Sequence, residues 1–184
     1  MSGDLVVFNW RQPFTFYAET KLLLNNSEVA AVIRREEIGT TIETAYNKWY
    51  LKQVGIIRTT ILLRNIQTGL TEAVYKASWS NGGVMRFGQE NKKFTWRDNG
   101  SKKFDWLDEE GKSWGKFQLE FSKKGKLGIL ETTGEKLDQN EFELLLVLGW
   151  YLCINELGYG GAGYERFQDG TPGNGGSFPS SKSF

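Results

Sequence analysis

Residues Leu144 to Ile154 read LLLVLGWYLCI, eleven consecutive positions without a charge. Such a run makes three helical turns, so apolar side chains point away from the axis on every side. A helix of this kind has no face to offer water. It must be surrounded, by lipid or by the rest of its own chain, and that choice constrains everything upstream. Its ends are well marked. Asp138 stands where an N-cap belongs, and Glu141, three residues on, completes a capping-box-like pair at the positive end of the helix dipole. Asn155 precedes the stop and Gly158 takes the place of a C′ glycine. The expected helix is 138–157, with Lys136 and the acidic first turn left at the rim.

A membrane span needs about 20 apolar residues, and a shorter run is more often a buried core helix. Glu141 and Glu143 precede this run and Asn155 and Glu156 follow it. Stretching a span over Phe142–Leu157 would put Glu143 in hydrocarbon at a cost of about 2 kcal/mol or more. A tail-anchored membrane protein is therefore the lesser alternative.

The chain ahead of the helix reads as strands: Leu5–Trp10, Pro13–Thr20, Lys21–Leu24, Glu28–Arg34, Thr40–Gln53 and Ile56–Ile66. The last is rich in β-branched residues, which pack well on a pleated surface. Glu28–Arg35 and Asn47–Val54 also score as helix. From Thr71 the punctuation is explicit. Thr71–Trp79, Val84–Phe87, Lys92–Asp98, Lys102–Asp108, Trp114–Phe121 and Lys126–Thr132 are separated by breaks such as Asn81-Gly82-Gly83, Asn99-Gly100, Glu110-Gly111 and Lys124-Gly125. Glycine there supplies the positive φ of tight hairpins. Strands at this spacing imply a meandering antiparallel sheet, sandwich or barrel. A small barrel is filled by its own side chains, whereas a wider can encloses a helix. The expected fold is mainly β: a closed antiparallel barrel of about 12 strands around the hydrophobic C-terminal helix. It spans residues 1–157, and 158–184, dominated by Gly, Ser, Asn and Pro, are expected to be a disordered tail.

KKFTWRDNG (Lys92–Gly100) and KKFDWLDEE (Lys102–Glu110) nearly repeat, and read as the two strands of one hairpin. A three-residue loop sets Trp96 opposite Phe104, Phe94 opposite Trp106, Asp98 against Lys102 and Lys92 against Asp108. The outer face then gathers Lys93, Arg97 and Lys103, with Thr95 and Asp105 between them.

Aromatic-x-aromatic steps such as Phe94-Thr95-Trp96, followed by a closing hydrophobic helix such as Glu141–Leu157, resemble the tubby-like C-terminal fold. Tubby-like proteins, phospholipid scramblases and LURP-one-related proteins share it. The resemblance spans roughly Leu5 to Leu157 and is architectural. It implies a 12-stranded barrel around a C-terminal helix and, from the tubby proteins, phosphoinositide binding through surface Lys and Arg. The Cys-rich run and the acidic metal-binding segment of scramblases have no counterpart here.

Composition narrows the chemistry. No His is present and the one Cys is Cys153, within the apolar run. This removes Ser–His–Asp and Cys–His catalysis, imidazole metal sites, Cys-based zinc sites and an intramolecular disulfide. No metal and no cofactor is expected. The net charge of +1 sets up no global field, so an anionic partner must be met by a local patch. Asn91–Lys126 supplies one, with ten Lys or Arg against six Asp or Glu. The candidate ligand-binding residues are Lys93, Arg97, Lys103, Lys123, Lys124 and Lys126.

The expected function is a non-enzymatic binding module for anionic phospholipid headgroups or an acidic protein surface, cytoplasmic and peripheral at membranes. Nucleic acid is a weaker candidate resting on the same cations. The alternative from another class is a carbohydrate-binding or glycoside-processing protein, with Asp105, Asp108, Glu109 and Glu110 as carboxylates and Trp106 and Trp114 as sugar platforms. A lipocalin-type carrier is disfavoured, because Phe8-Asn9-Trp10 stands where Gly-x-Trp is needed and the helix is not amphipathic. Fluorescent-protein chemistry fails because Gly149-Trp150-Tyr151 is not X-Tyr-Gly.

Overall fold

Along most strand segments apolar and polar residues alternate, and the fold turns that alternation into an inside and an outside. The computed structural model describes residues 5–12, 19–36, 38–55, 59–78, 82–87, 92–122, 125–132 and 137–159. The first strands are β1 (Val6–Gln12), β2 (Thr20–Leu24), β3 (Glu28–Arg35), β4 (Thr40–Thr44), β5 (Lys48–Val54) and β6 (Thr60–Asn65). Then come β7 (Thr71–Ser78), β8 (Gly82–Phe87), β9 (Lys93–Asp98), β10 (Lys103–Leu107), β11 (Ser113–Ser122), β12 (Gly125–Thr132) and one helix, α1 (Gln139–Tyr159). Each strand pairs antiparallel with its chain neighbours. β1 also pairs with β12, from Val6 opposite Thr132 to Gln12 opposite Lys126, so the sheet closes into a 12-stranded barrel.

The expected strand number of about 12 holds, although the segments are divided differently. Pro13–Thr20, read as a strand, falls mostly on residues 13–18, outside the described residues, while Thr20 belongs to β2. Thr40–Gln53, read as one segment, is β4 and β5. Between them the Thr44 hydroxyl accepts from the backbone N–H of Tyr46 at 3.3 Å and of Asn47 at 3.0 Å, a turn made without glycine. The two stretches that also score as helix, within β3 and β5, are strands.

The barrel encloses α1. Leu144 to Leu148, Trp150, Tyr151, Cys153 and Ile154 are all buried, so the helix has no exposed side along this run. Strands from around the barrel reach it. Trp10 of β1 meets Trp150 edge-on at 6.5 Å, and the Trp106 indole N–H of β10 donates to the Leu145 carbonyl at 3.1 Å. Arg35, at the end of β3, donates to Asn155 Oδ1 at 3.0 Å. Lipid therefore has no part in covering this helix, and among the described residues no helix is long and apolar enough to cross a membrane. Tyr75 and Trp106 meet edge-on at 6.2 Å. Burial pushes the Tyr75 phenol above its usual range, which keeps it neutral inside the lumen.

The helix ends differ in detail from expectation. Asp138 does cap: its Oδ1 accepts from the Glu141 N–H at 2.8 Å. The acidic first turn, however, is inside rather than at the rim. Glu141 is 7% exposed and accepts from Lys92 Nζ through both oxygens at 2.6 Å. Glu143, 2% exposed, is held by neutral donors: Thr44 Oγ1 at 3.0 Å, Asn47 Nδ2 at 2.9 Å and Trp49 Nε1 at 3.3 Å on one oxygen, Gln139 Nε2 at 3.3 Å on the other. At the far end Asn155 is engaged by Arg35, and the helix runs through Gly158 to Tyr159. Lys136 and the expected tail from residue 160 lie outside the described residues.

Gly149 sits at the tightest point. A Cβ there would overlap the Phe117 ring and lie 2.8 Å from Trp106 Nε1. On an exposed helix, Gly→Ala stabilises by about 1 kcal/mol. Here Gly149→Ala is expected to destabilise by about 1–3 kcal/mol through overpacking, and urea denaturation reads the sign directly.

Candidate functional site

The outer surface of β7, β8, β9 and β10 is built by the same alternation that fills the lumen. Tyr75, Met85, Phe94, Trp96, Phe104 and Trp106 turn inward and are buried, while Lys76, Arg86, Lys93, Arg97 and Lys103 turn outward and are exposed. The register then decides which cations meet. Arg86 lies directly opposite Lys93 in the β8–β9 pair, and Lys76 lies opposite Val84 in the β7–β8 pair. Like charges facing each other across a strand pair are destabilising by about 0.2–1 kcal/mol. Among the described residues, no carboxylate stands within ion-pair distance of Lys76, Arg86, Lys93 or Lys103. Beside this pair is a surface depression of about 480 Å³, lined in part by Thr71, Val74, Lys76, Val84 and Arg86. The carboxylate in its lining, Glu72, accepts from Asn140 Nδ2 at 2.8 Å.

The β9–β10 hairpin does not adopt the expected register. Trp96 faces Trp106, Asp98 faces Phe104 and Arg97 faces Asp105. The turn comes one residue later, over Gly100-Ser101-Lys102, all with positive φ (76°, 50° and 59°). Two local interactions favour this. The Asn99 N–H donates to the Lys103 carbonyl at 2.8 Å, and Asp98 Oδ1 accepts from the Gly100 N–H at 2.7 Å. Aromatic contact survives the shift, because Trp96 stacks on Phe104 at 5.3 Å while touching Trp106 at 4.8 Å. Lys92, expected against Asp108, pairs with Glu141.

The expected cluster is therefore only partly assembled. Lys93 and Arg97 share the outer face but stand four residues apart on one strand, about 13 Å. Lys93 joins Arg86. Arg97 donates to Asp105 at 3.2 Å, and that carboxylate is only 8% exposed, so the guanidinium has a structural partner. Lys103 pairs across to Gln118 of β11. Lys123 and Lys124 lie outside the described residues, and Lys126 is on β12, two strands beyond β10. Lys76 and Arg86 were not singled out from sequence. The signal for Arg86 was present: the approximate symmetry of Arg86-Phe87 and Lys92-Lys93 about the β8–β9 connection puts Arg86 against Lys93.

On β3 one cation is matched by carboxylates. Exposed Arg34 of β3 donates to Glu43 at 3.0 Å and Glu19 at 2.9 Å. Its guanidinium is held above the usual arginine value, by the Glu43 hydrogen bond first.

The carboxylate alternative finds less geometry. A cavity of about 330 Å³ at the barrel mouth includes Asp108, Glu109, Glu110 and Trp114 in its lining. Asp108 Oδ1 accepts from the N–H groups of Glu110 (3.0 Å) and Lys112 (2.8 Å), and Glu109 accepts from the Lys93 N–H at 3.2 Å. These two carboxylates brace turns. Trp106 is fully buried, and Trp114 is turned in against Phe142 at 5.4 Å, so neither offers an open face to a sugar. Asp105 is on the outer wall with Arg97. Among the described residues no group of carboxylates and Cys could hold a metal ion.

Compared with known proteins, the chain matches no family profile, no curated protein and no solved structure.

Two roles for outer-face cations can be separated by stability. Replacing Arg97 with Ala strips the nearly buried Asp105 of its counter-charge and is expected to cost about 1–2 kcal/mol, between exposed and buried pairs. Lys103→Ala should stay within about 0.5 kcal/mol. Chemical denaturation of the two variants makes the comparison.

Proposed function

We propose that the protein is a non-enzymatic binding module whose β7–β10 outer wall engages the phosphates of anionic phospholipid headgroups at a membrane surface. The observation that carries this reading is the facing pair Arg86 and Lys93, with Lys76 beside it at the edge of the depression. Two opposed cations with no carboxylate at ion-pair distance among the described residues are a latent anion site. A phosphate between them forms charge-assisted hydrogen bonds with both and relieves their mutual repulsion. Val74 and Val84 give the depression an apolar floor, which suits the glycerol end of a headgroup. The tubby-like resemblance points the same way, since tubby proteins bind phosphoinositides through surface Lys and Arg. The non-enzymatic part is supported by the absence of His and by the turn-bracing roles of Asp108 and Glu109. An acidic protein surface offers the same charge and is the competing partner; a cytoplasmic, membrane-peripheral location follows if the lipid reading holds.

Cosedimentation with phosphatidylcholine vesicles, with and without phosphatidylserine or a phosphoinositide, tests the proposal. Binding is expected only with anionic lipid and should weaken with added salt. The double variant Arg86→Glu, Lys93→Glu is expected to weaken it by about 10-fold or more, while Lys116→Glu on β11 leaves it unchanged. Equal binding to neutral vesicles, or no effect of the double variant, would overturn the lipid reading. The single variant Lys93→Glu has a second consequence. It turns a like-charge pair into an opposite-charge one, and the free protein should gain about 0.2–1 kcal/mol in denaturation while losing affinity for vesicles.

A further inference from the structure

Three large apolar side chains stand in water on the β4–β5 and β6–β7 turns at one end of the barrel. Tyr46, in the β4–β5 turn, is 69% exposed; Ile66 and Leu70, at either end of the β6–β7 turn, are 44% and 64% exposed. One such residue alone would be ordinary. These three are on neighbouring turns. The Ile66 N–H donates to the Lys48 carbonyl at 2.8 Å, which sets the start of one turn against the end of the other. Asn65 Nδ2 donates to Asn47 Oδ1 at 3.2 Å, and Asn47 Nδ2 in turn donates to Glu143 of the enclosed helix at 2.9 Å.

The β6–β7 turn is braced from within as well. Asn65 Oδ1 accepts from the N–H groups of Gln67 at 2.9 Å and Thr68 at 3.2 Å, and Arg64 Nε donates to the Gly69 carbonyl at 2.7 Å. The apolar tips are thus presented by turns with fixed geometry. Neither turn, residues 45–47 or 66–70, contains an acidic residue. Leu70 leads straight into Thr71, which lines the cationic depression. Apolar tips bordering a cationic wall match the two layers of a bilayer interface, anionic headgroups outside and the acyl boundary beneath.

We propose that Tyr46, Ile66 and Leu70 enter the bilayer interface when the β7–β10 wall engages anionic headgroups, so that the protein docks by this edge of the barrel. The inference rests on the headgroup reading and adds an orientation and a depth to it. Wall cations select the membrane by charge; the three tips add affinity that salt does not screen.

The test uses the full chain carrying Leu70→Cys labelled with a polarity-sensitive fluorophore. Cys153 is buried, so the introduced thiol is the one that reacts. On phosphatidylcholine–phosphatidylserine vesicles the label is expected to shift to the blue and to be quenched by lipids carrying a spin label just below the headgroup. The same label at Glu131→Cys, exposed on β12 across the barrel, should not respond. Tyr46→Ser, Ile66→Ser and Leu70→Ser together should weaken vesicle binding about 10-fold or more, leaving binding of soluble inositol hexakisphosphate unchanged. Cosedimentation with an unshifted Leu70 label would overturn edge docking and leave the headgroup reading standing. No cosedimentation at all would overturn both.

Discussion

The lumen of the barrel is the solvent of the helix. Eleven uncharged residues in succession demand apolar neighbours on all sides, and twelve inward-facing strand surfaces supply them. The fit works in both directions, because without the helix Trp10 would lose Trp150, Trp49 would lose Glu143 and the Trp106 indole N–H would lose the Leu145 carbonyl. The buried carboxylate of the helix is satisfied by the wall around it. Glu143 reaches into it and is received by Thr44, Asn47, Trp49 and Gln139, so the one element that arrives from outside the sheet is bonded to β4 and β5 as well as packed against the rest. The absence of a Cβ at Gly149 lets Phe117 approach the helix backbone.

With the inside committed to packing, the barrel meets its surroundings through outward side chains and turns. The outer surface is uneven in how its charges are settled. On β3 and β4, Arg34 is bound by Glu19 and Glu43. Between β9 and β10, Arg97 is bound by Asp105. Between β8 and β9, no carboxylate among the described residues is within ion-pair distance of Arg86 or Lys93. A like-charge pair facing across the end of a strand pairing lowers the stability of the free protein. Neighbouring turns held in place by Asn47, Asn65 and Arg64 belong to the same region of the surface, so charge and apolarity meet along one edge.

Much of this architecture was legible in the sequence. The all-round apolar helix, the alternation of the strands and the positive-φ glycines Gly100 and Gly111 each express a local rule that the fold obeys, whereas Gly82 and Gly83, read as a break, are paired residues of β8. The turn at Ala45-Tyr46-Asn47 was not legible, because a threonine hydroxyl does there what glycine does elsewhere. The β9–β10 register was missed because two registers one turn position apart both keep Trp96, Phe104 and Trp106 inside; Asp98 capping Gly100 and the Arg97–Asp105 pair distinguish them only once strands are placed. The site suffered from the same limit. Lys93 and Arg97 look equivalent in sequence, and only pairing shows one facing a cation and the other a carboxylate.

The plug follows all twelve strands in the chain. Synthesis from the N-terminus therefore delivers all twelve strands, with their aromatic faces, before the helix that those faces are shaped to hold. β1 meanwhile waits for β12, more than a hundred residues later, before the sheet can close. Long-range pairings of this kind are slow to form and leave strand edges open in the interval. The nascent chain thus passes through a stage at which it has a nearly complete wall and nothing to wrap, and the burden of staying unaggregated during that stage falls on the charged outer residues that the finished protein presents to its surroundings.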